Sequence, residues 1–167
     1  MLENIMHFLK ALPADIVTFI IAALPVAELR VSIPFAYAMG LPWPKIMLIS
    51  YLGNMIPIIP LLFLLEPVSN ALRRFPMWKR FFERLFEKTR KKAELIQKYE
   101  AVGLMLFVAI PFPGTGAWTG CIAASLFKIK FRYAFPAIVL GVIIAGILVM
   151  TLTYMGFKVA DINGALK

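Results

Sequence analysis

The chain has 167 residues, of which 61% are hydrophobic, and its formal net charge is +9. Soluble domains are about 45–50% apolar, so this composition predicts an all-α integral membrane protein. One cysteine excludes an intramolecular disulfide, and one histidine leaves no Cys/His cluster for a transition metal. We therefore expect no metal and no cofactor.

The first apolar segment, ALPVAELRVSIPFAYAMG at residues 23–40, is interrupted before it can cross a bilayer. An apolar run precedes Pro25, and a short return to Gly40 follows Pro34, so we predict a helical hairpin whose break contains both prolines. The uncharged run over residues 46–65 is close to the roughly 20 residues that span a membrane.

Glu28 and Arg30 are the two charged residues within the predicted hydrophobic depth of either hairpin. An ionisable side chain at that depth marks a functional site by default, because it is costly unless paired or hydrated. We predict that Glu28 takes up a proton or cation and that Arg30 binds a phosphate or carboxylate. The alternative is that the two side chains satisfy each other or nearby carbonyls and only fix the hairpin.

A basic loop follows at residues 67–100, with ten basic and four acidic residues between positions 73 and 100, a net +6. The positive-inside rule places this loop in the cytoplasm and the protein in the cell membrane, and we expect no binding to nucleic acid. Apolar residues at helical spacing predict an amphipathic helix with a lipid-headgroup surface formed by Lys79, Arg80, Arg84 and Lys88. Its aromatic face can equally pack on the protein's own spans.

The second apolar segment contains VAIPFPGTGAWTG at residues 108–120. Residues 101–110 form about 15 Å of helix, half of a roughly 30 Å hydrocarbon core, so the break at Pro111 and Pro113 falls near the midplane. Helix N-termini attract anions, which predicts a substrate-binding tip formed by Gly114, Thr115, Gly116, Ala117, Trp118 and Thr119. Alternatively, the two threonines cap or back-bond the half-helix and the tryptophan packs against a neighbour.

Aligning residues 23–40 with 109–126 pairs Pro25 with Pro111, and a full span follows each segment. We predict one membrane domain with repeat 1 at about 13–66, the basic loop at 67–100, repeat 2 at about 101–157 and a tail at 158–167. A kinked second segment would place Lys128, Lys130 and Arg132 outside, whereas a re-entrant hairpin keeps them in the cytoplasm. This favours two inverted repeats of a re-entrant hairpin and a transmembrane helix, with a site where the two tips meet.

ELRVSIPFAYAMG and PFPGTGAWTG together resemble the small multi-drug export protein family over nearly the whole chain. That family is similar in organisation to the DedA or VTT membrane proteins, which implies paired re-entrant hairpins and the flipping of polyprenyl phosphate or other lipids, often linked to the proton motive force. In this resemblance Glu28 and Pro34 match the acidic and proline positions of the first DedA hairpin. The second DedA hairpin usually carries an arginine, which PFPGTGAWTG lacks.

These observations predict an ion-coupled transporter or flippase and not an enzyme. The expected partners are membrane lipids, an anionic lipid or amphiphilic small molecule as substrate, a proton or sodium ion, and a second copy in a homodimer. One alternative is an exporter of lipophilic cations, in which Trp118 and Phe112 supply cation-π contacts. Another is a membrane scaffold or lipid scramblase that acts through the basic loop.

Overall fold

The computed structural model describes residues 12–72, 84, 87, 94–112 and 114–165, with backbone only for 65–72, 94–99 and 161–165. Within these residues the chain forms helices and no strand. In chain order the helices are α1 (Ala14–Ala23), α2 (Glu28–Ala38), α3 (Trp43–Leu72), α4 (Glu94–Ala109), α5 (Ala117–Leu126) and α6 (Phe131–Ala165).

Two of these helices are long and apolar enough to cross a membrane, Trp43–Leu64 within α3 and Phe131–Ala160 within α6. Only 28% and 39% of their most apolar windows are buried, whereas the core helix of a soluble protein is mostly buried. Large apolar side chains such as Leu52, Ile56 and Leu148 are exposed on their outer faces. Surfaces of this kind match lipid better than water.

The first hairpin consists of α1 and α2. Leu24 has the extended backbone (ψ 140°) that a following proline favours, and this ends α1 at Ala23. The Glu28 amide then donates a hydrogen bond to the Leu24 carbonyl (3.1 Å), which closes the turn. Pro25 therefore lies in the break as predicted.

Pro34 was wrongly predicted to be part of this break, because it lies inside α2. A proline removes one helical hydrogen bond but does not have to end a helix when packing supports both sides of it. The flanking Ile33 and Ala36 are completely buried, so the packed face of α2 continues across the proline.

The second hairpin consists of the C-terminal part of α4 together with the whole of α5. Glu100 has a non-helical backbone (φ 45°, ψ −114°) that divides α4, so the apolar arm of the hairpin is Glu100–Ala109. Pro111 lies in the connection to α5, where Gly114 (φ 82°) and Gly116 (φ 147°) adopt conformations that favour glycine. Pro113, the remaining predicted break residue, lies outside the described residues.

The chain divides into two compact units, Met1–Asn54 with Gly146–Lys167, and Met55–Ala145. The first unit contains α1, α2, the beginning of α3 and the end of α6. The second unit contains all of α4 and α5, together with the rest of α3 and the beginning of α6.

The C-terminal caps of α2 and α5 have the same hydrogen bonds. In the first unit the Leu41 amide bonds to the Ala36 carbonyl (3.1 Å), and in the second the Ile129 amide bonds to the Ala124 carbonyl (2.9 Å). The preceding residue has a positive φ in both caps, 76° at Gly40 and 54° at Lys128. Our alignment had paired Gly40 with Leu126, so for α2 and α5 its register is wrong by two residues.

Close helix contacts also recur in the two units. A Cβ atom added at Gly53 would lie 2.5 Å from the Phe19 carbonyl oxygen and 2.9 Å from the Ala22 Cβ. A Cβ atom added at Gly141 would lie 2.7 Å from both the Met105 carbonyl oxygen and the Val108 Cβ. In each unit, therefore, one glycine lets the long helix pack against the first arm of the hairpin.

Candidate functional site

Glu28 begins α2 in a left-handed backbone conformation (φ 48°), and only 5% of the residue is exposed. Such a conformation costs a residue other than glycine about 1–2 kcal/mol. Strained backbone at a buried ionisable residue is common at functional sites, where the surrounding structure maintains it.

Arg30 forms an ion pair with Glu28, with 3.6 Å between its Nη1 and the Glu28 Oε2. The side chains are 21% and 6% exposed, respectively. Two residues apart on a regular helix would not face each other, but the left-handed backbone of Glu28 makes the contact accessible. This distance exceeds the roughly 2.8 Å of a charge-assisted hydrogen bond between a guanidinium and a carboxylate.

A buried hydrogen bond connects α2 to α3. The Ser32 hydroxyl donates to the Ser50 hydroxyl (3.0 Å), and both side chains are fully buried. A short turn at residues 39–42 joins the two helices, so they run antiparallel on either side of it. Glu28 on α2 and Asn54 on α3 each lie four residues from this bond, so the antiparallel arrangement places both toward the same end of the helix pair.

Asn54 is 1% exposed, and neither its Oδ1 nor its Nδ2 has a hydrogen-bond partner among the described residues. A carboxamide can donate two hydrogen bonds and accept two, and burying it without a partner is costly. The structure places Ser50 in an interhelical bond and leaves Asn54 as a polar group available to a ligand.

The predicted substrate-binding residues of the second hairpin all lie in the second unit. Thr115 can donate its hydroxyl to the Ile110 carbonyl (2.7 Å) or the Phe112 carbonyl (2.8 Å). Thr119 donates to the Gly116 carbonyl (3.2 Å), one turn back. Both hydroxyls therefore stabilise the tip, as the alternative interpretation proposed, and α5 begins at Ala117 with Trp118 partly buried beside it.

An aromatic cavity of about 550 Å³ lies within the first unit, and the sequence did not predict it. Its lining residues come from α2, α3 and α6: Tyr37, Trp43, Met47, Ile147, Met150, Thr151 and Tyr154. Tyr37 also packs against Phe157, with 4.9 Å between ring centroids. These residues lie far apart in sequence and at ordinary lipid-facing positions, so no local pattern distinguishes them.

Three of the four residues of the predicted lipid-headgroup surface, Lys79, Arg80 and Lys88, lie outside the described residues. The fourth, Arg84, is exposed. In the part of the chain that the structure describes, no group of three or more His, Cys, Asp or Glu residues could hold a metal ion.

Two long lipid-compatible helices, two helical hairpins and a buried acidic site define a helical membrane protein. The sequence model of the family described as "Putative small multi-drug export protein" matches residues 28–148. Because the match covers more than half of the chain, the protein belongs to this family, whose description indicates a transport role. No curated protein and no solved structure matches the chain.

Proposed function

We propose that this protein is an ion-coupled transporter in which Glu28 binds the coupling ion. The observations that carry the proposal are the ion pair of the buried Glu28 with Arg30 and the buried amide of Asn54, which has no hydrogen-bond partner among the described residues. A group of this kind is expensive in a membrane and is retained where it has a function.

The coupling follows from the contact between Glu28 and Arg30. Protonation of Glu28 removes its negative charge and weakens its attraction for the guanidinium, which becomes available to an anionic substrate. The Asn54 amide can accept a hydrogen bond from the protonated carboxyl or donate one to the carboxylate. Release of the proton restores the ion pair and displaces the substrate. A sodium ion bound by the Glu28 and Asn54 oxygens is the alternative coupling ion.

The proposed substrate is an anionic lipid such as a polyprenyl phosphate, because a guanidinium can bind two phosphate oxygens at once. The Arg30 side chain is 21% exposed and therefore partly accessible, which supports this assignment. The contribution of Gly114, Thr115, Gly116, Ala117, Trp118 and Thr119 stays a prediction.

We also propose that the two hairpins are re-entrant and that the chain is an inverted repeat. The hairpin arms have 10 or 11 residues, about 15 Å of helix, which is half of a hydrocarbon core. The recurring caps and glycine contacts of the two units support a duplication. The positive-inside rule then orients the basic loop toward the cytoplasm.

The aromatic cavity of the first unit supports a second candidate function, export of lipophilic cations. Tyr37, Trp43 and Tyr154 offer aromatic faces to a cation, while Met47 and Met150 offer polarizable sulfur atoms. In this case the substrate would occupy the cavity and Glu28 would still bind the coupling proton.

Liposomes that contain the purified protein test the two candidates. We would follow translocation of a labelled polyprenyl phosphate, and separately of a fluorescent lipophilic cation, under an imposed pH gradient. Glu28→Gln should reduce gradient-driven transport to the rate of protein-free liposomes. The matched control Asp15→Asn neutralises a 40%-exposed carboxylate of the same unit and should keep the wild-type rate.

Transport of the lipid and not the cation supports the flippase, and the reverse result supports the exporter. Gradient-dependent transport that survives in folded Glu28→Gln would refute the coupling role. If Glu28→Gln does not fold, Asn54→Leu tests the ion site through its other proposed ligand, and gradient-dependent transport that survives in this variant would refute the role of the amide.

A further inference from the structure

A basic cavity of about 470 Å³ lies within the second unit, where α5 ends and α6 begins. Its lining residues are Glu100, Phe127, Lys128, Ile129, Lys130, Arg132 and Tyr133. None of them belongs to the Glu28 site or to the aromatic cavity. Three cations and one carboxylate leave a formal excess of two positive charges around the cavity.

The strained backbone conformation of Lys128 indicates that the lysine side chain has a function at this position. Its φ of 54° lies in the left-handed region, where the equivalent cap of α2 has Gly40 at 76°. Glycine adopts this conformation without strain, whereas any other residue except asparagine and aspartate rarely does. A glycine would thus make the same cap more easily, and the lysine brings a cation to the wall of the cavity.

Arg132 lies above the ring of its neighbour Tyr133, with 4.7 Å from its Cζ to the ring centroid. This cation-π contact holds the guanidinium at the cavity and keeps its N–H groups available for an anion. Guanidinium and ammonium groups bind phosphate oxygens through strong charge-assisted hydrogen bonds.

The position of the cavity favours a lipid as the source of that phosphate. The part of α6 that is long and apolar enough to cross a membrane begins at Phe131, so the cavity lies at the end of that segment. A second cavity of about 310 Å³ shares Lys128, Ile129 and Lys130 and extends along Leu62, Phe63 and Phe131. Apolar side chains therefore continue from the basic wall, as an acyl chain attached to the phosphate requires.

We propose that the basic cavity binds a phosphate group carried by an anionic phospholipid. Basic pockets at the ends of membrane helices recognise lipid headgroups in this way. The same chemistry would bind a soluble phosphate ester, so the two sources must be separated by experiment. The proposal is independent of the transport mechanism, because it involves neither Glu28 nor Arg30.

The experiment uses the full-length protein in nanodiscs with equal amounts of phosphatidic acid and phosphatidylcholine. Native mass spectrometry after release would measure how many molecules of each lipid stay bound, in the presence and absence of glycerol phosphate. We compare wild type with Lys128→Gly, Lys130→Gln and Arg132→Gln. Lys158→Gln is the matched control, since Lys158 is an exposed lysine near the other end of α6.

Wild type should retain phosphatidic acid in preference to phosphatidylcholine. Each cavity substitution should lower that preference about fivefold, since one cation at a membrane surface contributes about 1 kcal/mol, and Lys158→Gln should leave it unchanged. Equal preference in wild type and the cavity variants would overturn the proposal, as would an equal loss in Lys158→Gln. Competition by glycerol phosphate at the concentration of the lipid would overturn the assignment to a lipid and indicate a soluble phosphate ester.

If a cavity variant does not fold, Lys128→Gly keeps the proposal testable, because glycine suits that backbone. This variant should bind phosphatidic acid less well while remaining at least as stable as wild type. A Lys128→Gly protein that binds the lipid as wild type does would refute the role of the lysine.

Discussion

Asn54→Leu should stabilise the protein and abolish coupled transport. The amide is 1% exposed, and both of its polar atoms lack a hydrogen-bond partner among the described residues. Each unsatisfied buried group costs about 1–3 kcal/mol, and a hydrophobic replacement of similar size costs less than about 1.5 kcal/mol in packing. A net gain of about 2 kcal/mol follows, which raises the unfolding temperature by roughly 4–8 °C in a protein of this size.

Ser50→Ala is the matched comparison, one helical turn away on the same face of α3. This substitution removes the acceptor of the Ser32 hydroxyl in a fully buried bond, so it should destabilise the protein by about 1–2 kcal/mol. Two buried polar residues on the same face should therefore change stability in opposite directions.

The assay is thermal unfolding in detergent, followed by size-exclusion chromatography of the remaining folded protein, with transport measured on the same preparations. A lower unfolding temperature for Asn54→Leu would refute the reasoning, since it would mean that the amide is well bonded in the folded protein. Unchanged transport in that variant would show that Asn54 does not contribute to the proposed ion site.

Three further predictions concern stability. Gly53→Ala should lower the unfolding temperature, since its Cβ would meet the Phe19 carbonyl oxygen at 2.5 Å. Gly156→Ala has open space around it and should raise the unfolding temperature, because alanine stabilises a helix by about 1 kcal/mol relative to glycine. Equal shifts in the two variants would contradict this. Lys128→Gly should raise the unfolding temperature by relieving a strain of about 1 kcal/mol, and a decrease would contradict it. Lys45→Gln should change stability by less than about 1 kcal/mol, because its 2.7 Å ion pair with Asp15 is exposed; a larger loss would show that the pair supports the fold.

The sequence predicts the features that depend on local chemistry. The two long spans follow from uncharged apolar runs, and the breaks at Pro25 and Pro111 follow from the effect of proline on the preceding residue. The same rule failed at Pro34, because the packing of Ile33 and Ala36 maintains α2 there. Packing involves residues that are distant in sequence, so it cannot be predicted from a rule that considers only neighbouring residues.

The candidate site was predictable only in part, for the same reason. Glu28 and Arg30 are recognisable because charge is rare in an apolar segment. The sequence of an apolar span does not reveal whether the amide of an asparagine is hydrogen-bonded. The hydrogen bonding of Asn54 is therefore evident only from the described residues packed around it. In the sequence, Lys128 is likewise one of several positive charges that determine membrane orientation. Its left-handed backbone conformation depends on the helix cap and is seen only in the structure.

The two units have matching helix caps and glycine contacts but differ in chemistry at the positions that the caps pair. The caps pair Gly40 with Lys128, and the same register pairs Ser32 with Gly120 and Ser50 with Ile138. In the first unit these positions form a buried hydrogen bond, whereas in the second a Cβ atom at Gly120 would lie 3.6 Å from Ile138.

The second unit therefore shows that this helix contact packs without polar groups. Since an apolar contact suffices there, helix packing alone does not require the buried Ser32–Ser50 hydrogen bond of the first unit. The cost of burying polar groups and the Glu28 carboxylate in a membrane protein therefore supports the proposal that the first unit binds the coupling ion.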